Sequence, residues 1–165
     1  MFNKSQKRET YRVLGLAAMC SGGSEYKVSW AIYLLEQGIE TEHLAILASL
    51  LKPVNEFEAE AYFNTVLNEL GIVRPNEEAA LEGYAKVLAQ AVVDGALAPE
   101  DGVSQIYAVN VQLDYPGTLS EYTSLEDKWY CEHIHGWSAQ HRRSEIINAC
   151  KETIDVLNYP ELFKD

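Results

Sequence analysis

Basic side chains are scarce in this chain and unevenly placed. Thirteen Lys and Arg face 25 Asp and Glu over 165 residues, a formal charge of −12. A chain so short of cations lacks what phosphate contacts require and is repelled by anionic lipid, so nucleic acid and membrane surfaces are excluded as partners. Long apolar runs are missing too: none approaches the roughly 18 residues of a membrane-spanning helix. Cysteine is limited to Cys20, Cys131 and Cys150. An odd number without paired spacing excludes a disulfide scaffold and fits a reducing compartment. There is no Gly-x-Ser-x-Gly elbow and no phosphate-cradling glycine loop, since Gly22-Gly23 alone is too little. No catalytic motif and no cofactor signature remains, and a cytoplasmic location is expected. One rival outline exists, because Lys4, Lys7, Arg8 and Arg12 precede the apolar run Val13–Cys20 in the manner of a lipoprotein signal. The run is at the short limit for such a segment, and Met19 is a poor neighbour for a lipidated cysteine.

Apolar residues make up 47% of the chain and charged ones 23%, which is the composition of a globular core. The length suits one domain. A basic segment, 1–23, is expected to precede a single all-α domain over 24–165, built as an irregular bundle of six to seven short helices. Ser-Gly-Gly-Ser at 21–24 is the joint, and the basic segment itself can be helical.

Apolar residues at helical spacing trace the elements. Val28, Ala31, Ile32, Leu35 and Ile39 follow the Ser24 cap and stop at Gly38. Leu44, Leu47, Ala48 and Leu51 form a stripe within 42–51, which ends before Pro53. Asn55 caps a helix from Glu56 to Leu70 with Phe63, Val66, Leu67 and Leu70 inward, closed by Gly71. Asn76 caps the longest helix, Glu77 to Asp94, whose inward row is Leu81, Tyr84, Ala85, Leu88 and Val92, and whose polar row pairs Glu82 with Lys86. Pro99 opens a helix to about Gln112. There Tyr107, Val109, Val111 and Leu113 also alternate, but a lone strand has nothing to pair with. Tyr115-Pro-Gly117 is a turn, and helices over about 119–134 and 139–157 follow, the last with Ile147, Cys150, Ile154 and Leu157 inward.

The string Ala31-x3-Leu35-x2-Gly38-x5-Leu44-x2-Leu47-Ala48-x-Leu50, then Asn55-x-Phe57-Glu58, Leu67-x-Glu69-Leu70-Gly71-Ile72, Tyr84-Ala85 and Gly95-x3-Pro99-x2-Gly102, resembles a widespread bacterial family of small acidic all-helical proteins with no assigned activity. The likeness spans roughly 28–117 and consists of core and turn residues. It implies an all-helical bacterial protein of the cytoplasm and transfers no catalytic residue.

Two groups of residues are candidates for function. Residues 31–127 carry 3 bases against 17 acids, and Glu56, Glu58 and Glu60 gather at one helix start, where they complement the helix dipole or meet a basic partner. Between Trp129 and His141 lie Cys131, His133, His135 and His141, thiol and imidazole groups suited to zinc or nickel, although a second close pair of ligands is missing. Trp129, Tyr130 and Trp137 flank them as a candidate recognition patch or as caps of the helical core. Glu40 to His43 and Glu132 to His135 have the Glu-x-x-His spacing of di-iron bundles, without the further glutamates such sites need. The expected function is therefore a non-enzymatic protein-binding module, an acidic protein of the immunity or antitoxin kind that neutralises a basic partner. The alternatives are a metal protein or metalloenzyme centred on 131–141, and a homo-oligomeric structural protein.

Overall fold

The computed structural model describes residues 1–19, 24–131 and 138–163. Eight α-helices occur among them: α1 (Lys4–Ala18), α2 (Glu25–Glu36), α3 (Glu42–Ala48), α4 (Glu56–Glu69), α5 (Glu77–Val93), α6 (Pro99–Gln112), α7 (Glu121–Tyr130) and α8 (Ala139–Val156), with a 3-10 turn at Gly117–Leu119. No strand is found among the described residues. The fold is all-α, and the helix beyond the expected six or seven is α1. Asn3 and Gln6 start it with a reciprocal capping box, each side chain accepting from the other's backbone N–H. The basic segment is thus helical, with Val13 and Leu14 buried.

Length favours one domain over 24–165, whereas backbone contacts divide the chain into two compact units, Met1–Glu77 with the C-terminal residues from Pro160, and Glu78–Tyr159. In the first unit α1 packs on α2, α2 on α3 and α4, and α3 on α4. Trp30, Leu34, Leu44, Leu47, Phe63 and Val66 fill its core. The Trp30 indole N–H donates to Thr10 Oγ1 at 3.2 Å, so the buried ring loses no hydrogen bond. The end of the chain closes this unit: Val73 N donates to Leu162 O at 2.7 Å, and Phe163 meets Phe2 edge-on at 5.5 Å.

In the second unit α7 packs on α6 and α8, and α6 on α8. Tyr122, Ile106, Leu119 and Ile146 are fully buried. The Tyr122 hydroxyl lies 2.7 Å from Thr153 Oγ1 and 3.6 Å from Cys150 Sγ, and burial pushes the Cys150 thiol up to about 11. Cys150 is a core residue, as a small apolar thiol usually is. Lys86 does not run along its own helix to Glu82. It donates to the Leu157 carbonyl at 2.7 Å, satisfying an end-group of α8.

Several inward assignments shift. Ile32 is 42% exposed while Trp30 and Leu34 are buried, and α3 stops at Ala48, which leaves Leu51 85% exposed. In α8 the buried positions are Arg142, Ile146, Ala149, Cys150 and Thr153, with Ile147 and Ile154 half-buried. The Pro99 helix runs to Gln112 as expected, and the strand reading of 107–113 falls away.

Candidate functional site

The candidate residues fall in both units. In the second, Trp129 and Tyr130 end α7, and Ser138 caps α8 by accepting from His141 N at 3.2 Å. The guanidinium groups of Arg142 and Arg143 lie 5.0 and 5.6 Å from the centre of the half-buried Trp129 ring. Arg143 grips Glu100 with two nitrogens, at 3.0 and 3.2 Å, and that hydrogen bonding holds the Glu100 carboxyl below its usual range. Tyr130 shares a 3.0 Å hydrogen bond with Ser104 of α6. Trp129 is therefore engaged with α8 through Arg142 and Arg143, and Tyr130 with α6 through its hydroxyl, although the Tyr130 side chain is largely exposed. Trp137 lies outside the described residues.

The metal candidates are only partly on view. Cys131 caps α7 and is hydrogen-bonded to Asp127 Oδ1 at 3.6 Å. Burial and then the Asp127 carboxylate push its thiol pKa up. α7 ends at Tyr130, with Cys131 as its C-cap, where the sequence pattern led to about 134. His133 and His135, and with them the Glu132 to His135 string, lie outside the described residues. Among the described residues no three His, Cys, Asp or Glu side chains are grouped to hold a metal. The other Glu-x-x-His string is split by the start of α3, and His43 Nδ1 meets Glu69 Oε1 at 2.5 Å.

In the first unit, Asn55 Oδ1 accepts from Glu58 N at 3.0 Å and starts α4 as expected. The three acids then part company. Glu56 and Glu58 are exposed in the first turn. Glu60 faces inward, accepting from Lys27 Nζ, Arg74 Nη1 and Asn64 Nδ2. Lys27 is buried, and both cations lie within 6 Å of the Phe63 ring centre, at 5.6 and 5.8 Å. Burial alone would raise the Glu60 pKa, but the hydrogen bonds and charges of Lys27 and Arg74 outweigh it and hold it at about 2. Glu60 is an internal counter-ion and offers no charge to a partner.

Two residues that the hydropathy pattern did not single out as a site lie near Glu56 and Glu58 in sequence. Leu51 is 85% and Phe57 91% exposed, at either end of the α3–α4 connection. For Phe57 the signal was present: nine residues separate it from Val66, which at about 100° per residue sets the two on opposite sides of α4. No family model, curated protein or solved structure matches the chain.

Proposed function

We propose that this is a non-enzymatic protein-binding module of a bacterial cytoplasm, which holds a basic partner in the manner of an acidic immunity or antitoxin protein. The observation that carries this reading is the distribution of charge. The first unit holds twelve acids against eight bases, a net of −4, and the second thirteen against five, a net of −8. Several of the few bases are already matched within the fold: Lys27 and Arg74 by Glu60, Lys52 by Glu25, Arg143 by Glu100. Acids in excess therefore face outward. Glu121 of α7 illustrates the consequence, since burial and then the charges of Glu152 and Glu145 raise its pKa, with Lys128 opposing. A cationic partner relieves that repulsion. The competing reading is a metal protein or metalloenzyme centred on 131–141, whose candidate ligands Cys131 and His141 lie among the described residues and His133 and His135 do not.

Affinity capture with the immobilised chain tests the proposal. Raising salt from about 0.1 M to about 1 M shortens the screening length from about 10 Å to about 3 Å. The captured protein is expected to be basic and to elute over that range. A partner that is acidic, or that stays bound throughout, contradicts the reading.

A further inference from the structure

We infer that the α3–α4 connection, from Leu51 to Glu58, is the docking surface for a basic segment of the partner that carries an apolar anchor. The inference rests on the binding function proposed above and gives it a place. Apart from Met1, Leu51 and Phe57 are the most exposed large apolar side chains among the described residues, and folding leaves both in water. Their supports are ordered. Leu50 and Val54, beside them, pack against the core of the first unit, Asn55 fixes the first turn of α4, and Lys52 Nζ is held by Glu25 Oε2 at 2.9 Å. Exposed apolar side chains carried on an ordered connection and on the first turn of α4 can bury surface in a partner with little ordering cost of their own.

Charge selects the occupant. Phe57 is flanked by Glu56 and Glu58, and with Lys52 and Glu25 the neighbourhood sums to −2. A second copy docked about a two-fold axis would set Glu56 and Glu58 against their own equivalents. An anionic lipid surface would be repelled as well. A segment with Lys or Arg beside a Leu, Phe or Trp complements both features: the apolar residue contacts Leu51 and Phe57, and its cations meet the acidic first turn of α4. Glu60 takes no part, being matched by Lys27 and Arg74.

Fluorescence anisotropy with short synthetic peptides is the test. The probes are an Arg- and Lys-rich peptide with one central Trp, the same peptide with Ser for Trp, and an acidic analogue with the Trp kept. They are titrated against the full chain, the single variants Leu51→Ser and Phe57→Ser, and the double variant Glu56→Gln/Glu58→Gln. Both apolar positions are exposed, so the variants retain the fold, which circular dichroism verifies. The basic Trp peptide is expected to bind, to lose about tenfold or more in affinity with each Ser variant, and to lose its salt dependence in part with the double Gln variant. Equal binding by the wild type and every variant overturns this surface while leaving a basic partner in place elsewhere. Absence of peptide binding, with salt-sensitive capture of a basic protein still observed, likewise overturns the surface alone. Preference for the acidic peptide overturns both proposals. A concentration-dependent dimer dissociated by Phe57→Ser, or binding to phosphatidylserine vesicles lost in that variant, assigns the patch to those occupants instead.

Discussion

Glu60 has two cations to satisfy, one of them buried. Removing its charge leaves Lys27 with little water and no counter-ion, so Glu60→Gln is expected to cost about 1–3 kcal/mol at neutral pH. The pH dependence follows from its depressed pKa. A carboxylate held at about 2 in the fold, against an ordinary 4.5, adds stability that is fully present above the ordinary value and is lost as pH falls from there towards 2. Urea unfolding at pH 7 and pH 3 checks both points: the gap between wild type and variant should narrow at the lower pH, and a constant gap would deny the ion network its role. The sequence could not show this, because the Lys27 partner lies 33 residues away, and the helical period, which turns Glu58 outward, sets both Glu56 and Glu60 on the Phe63 side of α4 without saying which meets a cation. Local signals were legible. Asn55 caps α4, and Gly38, Gly71 and Gly95 adopt φ of 78°, 67° and 75° just past the ends of α2, α4 and α5.

Where α5 meets α6, the chain reverses through Asp94–Ala98 and the two helices approach closely at Gly102. A Cβ built there would lie 2.2 Å from Val92 Cγ2. Val is β-branched and has essentially one helical rotamer, so it cannot swing aside. Glycine to alanine inside a helix ordinarily gains up to about 1 kcal/mol, so a loss at this position isolates the clash. Gly102→Ala is expected to destabilise by about 1–2 kcal/mol net, and Gly102→Ala/Val92→Ala to lose less than the sum of its parts in thermal unfolding. Additivity would mean the helices separate freely. Helix existence was readable from apolar spacing for α2 to α8, because each carries one buried stripe. Boundaries and facing were less so. α3 is apolar nearly all round, so its pattern runs on through Leu51 although the helix stops at Ala48, and the side that looks outward is chosen by α2 and α4. In α8 the stripe turned by one residue, from Ile147 to Ile146, which shares its buried face with Arg142 over Trp129.

The whole chain carries far more negative charge than its fold uses. Internal pairs consume Glu60, Glu25, Glu100 and Glu69, and the acid excess belongs to both units, −4 in one and −8 in the other. Charge of this kind acts on partner choice and association rate more than on the fold. The sequence displayed the excess at once but not its division, because the cut between the units falls at the start of α5, where no linker composition marks it. Of the proposed docking surface, Glu56 and Glu58 were legible as the acidic first turn of α4, where both are exposed, while Leu51 was read as core and Phe57 was passed over. No described helix is long and apolar enough to cross a membrane. The most direct test is the affinity of the purified chain for its captured partner, measured by titration calorimetry as salt rises from about 0.1 M to about 1 M. Binding through an acidic surface predicts a loss of about tenfold or more over that range, and an affinity that stays constant would contradict it.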